Sequence, residues 1–174
     1  LLVRLQTIPF ELASYIRLLF FPKDLFTSQH FVINSASDPR FYISLFVVIP
    51  FIALLVFLLF KLKSKLYLFF FLWIVFSMSI LLNIYPLDMT IAERWLYSPI
   101  IGFLGIFGIV LSKILVSNKI RATYIFIIIL IIVSLFFARS MARTFDFKDN
   151  YTLFSNDLRF VEDSFDAQNN YGVA

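Results

Sequence analysis

Glu93 and Arg94 place a carboxylate and a guanidinium side by side between two long apolar runs, with Trp95 and Tyr97 close after them. An ionised group at the edge of hydrocarbon is costly unless it is paired, hydrated or bound to a polar partner. The two side chains therefore either form a salt bridge that anchors a loop or bind something polar. The residues by themselves favour the salt bridge.

Few other groups in the sequence are suited to chemistry. The chain has no cysteine, which excludes disulfides, thiolate nucleophiles and thiolate metal sites. His30 is the only histidine, and no second histidine or acidic cluster stands near it at ligand spacing. We interpret His30 as a hydrated loop residue, and we expect no metal site, no catalytic residue and no bound cofactor in this chain.

The composition indicates an integral membrane protein. Hydrophobic residues make up 61% of the 174 residues and aromatic residues 20%, against about 45–50% apolar residues in soluble proteins. A formal charge of +4 would suggest nucleic acid if the basic residues formed a surface stripe, but many of them sit in short clusters between apolar runs. We therefore expect the lipid bilayer, and not nucleic acid, as a partner.

Four apolar segments predict transmembrane helices, because about twenty residues at roughly 1.5 Å each match a hydrocarbon core of about 30 Å. They lie at about 41–60, 66–85, 97–116 and 122–138. Pro50 is expected to kink the first of them. The predicted fold class is thus all-α, a polytopic helical protein with its membrane domain at residues 1–139.

The residues before the first span are apolar but carry Arg4, Glu11 and Arg17. Three charges are too many for a comfortable membrane span. We predict an interfacial helix at about 8–21, ended by Pro22.

Small residues recur every three or four positions in the third span, at Gly102, Gly105, Gly108 and Ser112. This spacing puts them on roughly one helical face, which can approach another helix closely. Helix packing is the favoured interpretation of this face, ahead of a ligand site.

Two short basic turns set the predicted orientation. The turns at 61–65 and 117–121 contain lysine and arginine but no acid, and such turns accumulate on the cytoplasmic side. The Glu93–Arg94 loop and everything after Arg139 are then extracytoplasmic. The membrane is that of a bacterial or archaeal cell, or the endoplasmic reticulum of a eukaryote.

Residues 140–174 are much more charged and are predicted to form an extracytoplasmic helical segment. Its first helix has Asp149 or Asn150 as its N-cap, and Asp163 or Ser164 is expected to cap a second. Apolar residues of the first helix recur at helical spacing, at Tyr151, Phe154, Leu158 and Val161. Because the chain starts without methionine and stops within a helical pattern, we expect it to be part of a longer protein.

The stretch from Ala92 to Pro99, continued by Gly102-Phe103, resembles the AER-x-LY-x-P-x-x-GF stretch of the transmembrane and tetratricopeptide-repeat-containing proteins, a GT-C type, O-mannosyltransferase-like membrane family. Phe147 departs from the family's usual Trp, and Glu162 from its usual Pro. Three other stretches resemble the family in order and spacing: Tyr15-x-x-Leu18-Leu19-x-x-Pro22-x-x-Leu25, Arg143-x-x-x-Phe147-x-Asp149-x-x-x-Leu153-Phe154 and Ser164-Phe165-x-Ala167-x-x-Asn170-Tyr171-Gly172.

The resemblance implies a protein that transfers a sugar from a polyprenyl-phosphate donor to an acceptor hydroxyl on the extracytoplasmic side. Arg94 would then bind the donor phosphate through its two-donor fork, with Glu93 orienting it and Tyr97 beside it. The family's catalytic acid lies in a first extracytoplasmic loop that nothing here matches. The chain is therefore expected to cover the later spans and the start of the repeats, which would bind a protein acceptor or partner.

Two other functions fit parts of the sequence. A non-catalytic membrane anchor for a tetratricopeptide repeat scaffold would need only the spans and the C-terminal helices. A transporter would place ionisable residues or broken helices near mid-membrane, and Pro50 is the only such break in the four predicted spans. We rank the glycosyltransferase first, the scaffold second and the transporter third.

Overall fold

The structure, a computed structural model, is helical throughout its regular elements, as predicted. The part of the chain that it describes contains seven α-helices and two short 3-10 turns. The residues it describes are 2–23, 25, 27, 32–35, 37–84, 87, 89–117, 121–158 and 165–174.

The helices follow one another with short connections. The two 3-10 turns lie at Glu93–Leu96 and Phe145–Lys148. The α-helices are α1 (Leu2–Phe20), α2 (Pro39–Leu62), α3 (Lys65–Leu81), α4 (Tyr97–Val116), α5 (Ala122–Thr144), α6 (Asn150–Leu158) and α7 (Phe165–Val173).

Three helical segments in the described part of the chain are long and apolar enough to cross a membrane. They are Pro39–Leu62, Glu93–Val116 and Ala122–Lys148, of 24, 24 and 27 residues. The fourth apolar helix, α3, has 17 residues, which is the short end of the range for a membrane span. The membrane character is therefore supported by three helices, and the fourth span stays a prediction.

The chain divides into two compact units, Leu1–Ile106 and Phe107–Ala174. The first contains α1, α2, α3 and the first half of α4. The second contains the rest of α4 with α5, α6 and α7. The predicted division at residue 139 is a membrane boundary, which these units do not test.

A two-residue turn joins α2 to α3 in the first unit. Lys63 adopts a left-handed conformation with φ of 46°, and its N–H donates to the carbonyl of Leu59. Ser64 caps α3 by accepting the N–H of Tyr67 at 3.3 Å. The fully buried Tyr67 donates its hydroxyl to the carbonyl of Leu55 at 2.9 Å, which ties the two helices together. Pro50 lies inside α2, which runs through it as one helix.

Helix α1 starts earlier than its predicted bound of about 8 and passes through Pro9. Proline is usual in the first turn of a helix, whereas Pro9 lies in the interior of α1. The helix continues through Pro9 in spite of the missing N–H, and it buries one face at i, i+4 and i+8. That face carries Thr7, Glu11 and Tyr15.

The predicted small-residue face packs as expected over part of its length. A Cβ added at Gly102 would meet the side chain of Ile74 at 2.5 Å and the carbonyl of Phe70 at 3.0 Å, and one at Gly105 would overlap the ring of Phe70. A Cβ at Gly108 would meet nothing within 4 Å. Close approach of α4 to α3 therefore requires glycine at the first two positions only.

A tight helical junction follows α5 in the second unit. Helix α5 runs to Thr144, beyond the predicted end at 138, and passes into the 3-10 turn Phe145–Lys148. Asp149 accepts the N–H of Thr152 at 2.7 Å and thereby caps α6, as predicted. His30 and the second predicted cap, Asp163 or Ser164, lie outside the described residues.

Candidate functional site

The Glu93–Arg94 pair lies in a 3-10 turn that leads directly into α4. Ala92 before it is extended, with φ of −139° and ψ of 133°, and its carbonyl accepts the N–H of Trp95 at 3.1 Å. Because the turn passes straight into the helix, Glu93, Arg94 and Tyr97 stand within about one turn of each other at the head of a span. The structure thus places the three predicted site residues together.

Arg94 forms no ion pair with any residue that the structure describes, Glu93 included. Its side chain is exposed, and its Nη2 has a weak contact with the sulfur of Met89 at 3.9 Å. Glu93 is half-buried. The salt bridge between Glu93 and Arg94 that their residue types favoured is not formed. The Arg94 guanidinium therefore has N–H donors available for an external acceptor.

Hydrogen bonds from α3 fix the N-terminal end of α4, whereas the Arg94 side chain is not fixed in this way. Trp73 of α3 donates its indole N–H to the carbonyl of Ser98 at 2.9 Å, and the hydroxyls of Ser77 and Ser98 lie 3.1 Å apart. Pro99 is fully buried, whereas Tyr97 is 79% exposed. A rigid backbone therefore presents two exposed polar side chains, which is the arrangement that a binding site requires.

The segment that leads to this turn is fastened by Asn83. Asn83 has a φ of 52°, in the left-handed region that asparagine tolerates. Its side-chain nitrogen donates to the carbonyl of Met89 at 3.0 Å, and its side-chain oxygen accepts the N–H of Leu87 at 2.9 Å. The residues that follow, Thr90, Ile91 and Ala92, are 7%, 2% and 1% exposed. The end of the connection between α3 and α4, at Thr90 to Ala92, is therefore packed into the first unit.

Two polar side chains of α1 are buried in the first unit. Glu11 is 1% exposed, and the Asn83 side chain influences its pKa. Tyr15 is 2% exposed, and the Ala92 backbone and Glu11 influence its pKa. Glu11 Oε2 and the Tyr15 hydroxyl nevertheless complete no well-formed hydrogen bond within the described part of the chain.

Burial changes the acidity of both groups. It raises the pKa of Glu11 from 4.5 to about 7, against the opposing effect of the Asn83 hydrogen bond. Burial also raises the pKa of Tyr15, and the neighbouring Glu11 charge adds to that rise. Glu11 is therefore a carboxyl group that titrates near neutral pH.

Sequence reasoning missed Glu11 because it counted the residue as a charge to be kept in water. A signal was present, since Thr7, Glu11 and Tyr15 repeat at four-residue spacing on a largely apolar helix. Such spacing puts three polar groups on one face. A helix lying flat at the interface would turn that face to water, whereas a packed helix must bury it.

An apolar cavity of about 250 Å³ adjoins Tyr15 in the first unit. Its walls come from α1, α2, α3 and Phe103 of α4, and they include Phe51, Ile74 and Met78. No polar surface lines it, so it suits hydrocarbon and not a sugar or a phosphate.

The second arginine of the resembling stretches, Arg143, is held differently. Its Nη1 lies 3.0 Å from a carboxylate oxygen of Asp146, and its Nη2 lies 3.5 Å from one of Asp157. The guanidinium carbon stands 5.1 Å from the ring centroid of Phe147. These contacts join α5 to α6 and make Arg143 a structural residue.

Comparison of the chain with protein-family models, with curated proteins and with solved structures finds no match. Among the described residues, no group of three or more His, Cys, Asp or Glu side chains is placed to hold a metal ion. The site therefore rests on its own geometry, an exposed guanidinium and phenol at the head of a spanning helix.

Proposed function

We propose that this chain is the later part of the membrane domain of a GT-C-like glycosyltransferase, which moves a sugar from a polyprenyl-phosphate donor to an acceptor hydroxyl on the extracytoplasmic side. The observation that carries the proposal is the exposed guanidinium of Arg94 at the head of α4, without an ion-pair partner in the described part of the chain. A fixed cation at that point would stabilise the phosphate as it leaves the sugar.

The depth of the residues supports a lipid-linked donor. Trp95 and Tyr97 are residue types that concentrate at the membrane interface, where the phosphate of a polyprenyl-phosphate sugar must also lie. The planar fork of Arg94 matches two phosphate oxygens. Tyr97 is exposed beside it and offers a hydroxyl to the same ligand.

The proposal includes four spans, with α3 as the second. The basic turns at 61–65 and 117–121 fall on the same side of the membrane only if both α3 and α4 cross it. With α3 outside the membrane they would fall on opposite sides, against the preference for lysine and arginine inside. The 17 residues of α3 span about 26 Å at roughly 1.5 Å each, close to the hydrocarbon thickness.

Single cysteines in this cysteine-free chain test the four-span arrangement. We expect an impermeant thiol reagent to label Ser37→Cys and Asn170→Cys in intact cells and to leave Lys65→Cys unlabelled until the membrane is opened. All three side chains are exposed. Labelling of Ser37→Cys without Asn170→Cys would mean three spans and would contradict the arrangement.

The function itself is tested with the full-length protein in proteoliposomes that contain polyprenyl-phosphate-linked sugars. We expect saturable donor binding and transfer of the sugar to a protein acceptor. Saturable binding without transfer would contradict catalysis. Absence of both would favour the second candidate function.

That second candidate is a membrane anchor for a tetratricopeptide repeat scaffold. The observation in its favour is that α6 and α7 pair as a helical hairpin would. The hydroxyls of Tyr151 and Tyr171 lie 3.2 Å apart, and their ring centroids are separated by 5.2 Å. A protein partner bound by such repeats would need no chemistry in the membrane domain.

A further inference from the structure

The apolar cavity of the first unit is framed by helices that fix one another. The hydroxyl of Tyr67 on α3 donates to the carbonyl of Leu55 on α2 at 2.9 Å. The ring centroid of Phe51 on α2 lies 6.1 Å from that of Phe20 on α1 and 6.0 Å from that of Phe103 on α4. Because these contacts tie the walls together, the helices cannot move inward and close the cavity without breaking them.

The walls of the cavity offer nothing to water. The described residues that form them present no polar surface around a volume of about 250 Å³. Ser79 is one of these residues, but its hydroxyl donates to the carbonyl of Phe76 at 2.7 Å. A buried water needs several polar partners. The cavity therefore excludes water, and an empty cavity would leave its walls without van der Waals partners.

The cavity has a buried floor and an exposed rim. Val48, Ile74 and Met78 line it and are buried. Ile52 and Val75 also line it and are 46% and 50% exposed, so the cavity reaches the surface of the first unit beside them. Ile52 lies near the middle of α2, which is long and apolar enough to cross a membrane. The medium outside the rim is then the hydrocarbon of the bilayer.

We propose that the cavity binds one acyl chain of a bilayer phospholipid, which enters between Ile52 and Val75 and ends against Val48. A dry apolar cavity of roughly 150 Å³ holds a benzene molecule, so at the same volume per carbon this cavity has room for about ten carbons of an unbranched chain. Phospholipids surround the rim in large excess over any lipid-linked sugar and occupy the cavity by mass action. Binding of this chain requires the membrane position of α2 and no sugar transfer.

Photolabelling tests the occupancy. The full-length protein is reconstituted in phosphatidylcholine vesicles that include a phosphatidylcholine with a diazirine on one acyl chain, and the adducts are located by mass spectrometry. Phe46 and Val48 are neighbours on α2 that are 82% and 4% exposed. We expect adducts at both, because lipid contacts Phe46 from outside and reaches Val48 through the cavity. Absence of adducts at Val48 would overturn the proposal, and it is the result expected if another part of the full-length protein filled the cavity.

Val75→Phe should block the entry of the chain. We expect it to lower the Val48 adducts about 5-fold to 10-fold and to leave those at Phe46 unchanged, because the added ring takes up space that the chain needs. Val133→Phe is the matched control, since Val133 is an equally exposed valine of α5 that does not line the cavity. Ile52→Trp, at the same rim, replaces Val75→Phe if the latter does not fold. Equal Val48 adducts in the native chain and in the folded blocking variant would overturn the proposal.

Polyprenyl phosphate distinguishes the source of the chain. We expect a small fraction of it, mixed into the same vesicles, to leave the Val48 adducts unchanged, because phospholipid outnumbers it at the rim. Loss of these adducts would show that a polyprenyl chain takes the cavity and would overturn the proposal of a phospholipid.

Discussion

Arg94 and Arg143 lie in two of the four stretches that resemble the family, and their side chains have opposite environments. The Arg143 side chain is 8% exposed and meets two carboxylates of its own chain. Arg94 is exposed and contacts a methionine sulfur at 3.9 Å. The Arg143 guanidinium forms ion pairs with carboxylates of its own chain, whereas that of Arg94 is exposed to an external ligand.

The difference shows how a structural arginine can be told from a candidate ligand-binding one when both sit in similar stretches of sequence. A buried guanidinium must be paired, because an uncompensated charge in the interior costs several kcal/mol. An exposed guanidinium on a rigid turn does not need an ion-pair partner. Its presentation beside Tyr97, on a backbone pinned by Trp73 and Ser77, is therefore informative about function.

The largest expected effect comes from breaking the buried arrangement. Arg143→Met leaves Asp157, whose side chain is 4% exposed, without this cation, and removing one partner of a buried pair typically costs about 3–5 kcal/mol. We expect a large loss of folded protein, measured by thermal unfolding in detergent. Arg121→Met is the control, since Arg121 is exposed and its side chain caps nothing. Equal unfolding temperatures for the two variants would show that the Arg143 contacts contribute little.

Glu11 sharpens the comparison because it is a buried carboxyl group whose ionisation is opposed by burial. Its pKa is raised from 4.5 to about 7, so the folded state holds this proton more tightly than the unfolded state. The associated stability is complete below pH 4.5 and is lost as the pH rises to about 7, a difference of about 3 kcal/mol.

Glu11→Gln should remove that dependence, because glutamine does not ionise. We expect the variant to unfold at a clearly higher temperature than the native chain at pH 8 and at a similar temperature at pH 4.5. Thermal unfolding in detergent at the two pH values measures this. The same difference between the chains at both pH values would contradict a neutral buried carboxyl group.

The smallest expected effect comes from a local contact at the Arg143 junction. Asp149→Ala removes the N-cap of α6, which is worth about 1 kcal/mol. We expect a small decrease in unfolding temperature, well below that of Arg143→Met. The neighbouring change Asn150→Ala should have almost none, because Asp149 supplies the cap. A larger effect for Asn150→Ala would mean that the cap is wrongly assigned.

Local patterns in the sequence predicted the helices well. The span at 97–116 coincides with α4, and the Asp149 cap was expected from residue type. The predicted end of α3 at 85 was four residues late, because Asn83 turns left-handed and asparagine in that conformation ends helices. That outcome depends on Leu87 and Met89 reaching the Asn83 side chain, which spacing alone does not reveal.

The candidate site was predictable only in part. Glu93, Arg94 and Tyr97 are neighbours in sequence, so their proximity followed from the motif. The burial of Glu11 on α1 did not follow from the sequence, because it depends on how α1 packs in the first unit. The absence of a Glu93–Arg94 ion pair in the described residues also reversed the expectation from residue type, since the 3-10 turn leaves Arg94 exposed and Glu93 half-buried.

The most direct test of the central claim compares Arg94→Lys and Arg94→Ala with the native chain in the full-length protein. Sugar transfer from the polyprenyl-phosphate donor is measured per mole of folded, membrane-inserted protein. We predict that Arg94→Ala lowers transfer by about 10²–10³, as loss of a donor to a developing oxyanion does, and leaves the amount of folded protein unchanged. Arg94→Lys should restore little, because an ammonium lacks the two-donor fork. Unchanged transfer per folded molecule in Arg94→Ala would remove Arg94 from the site and contradict the account.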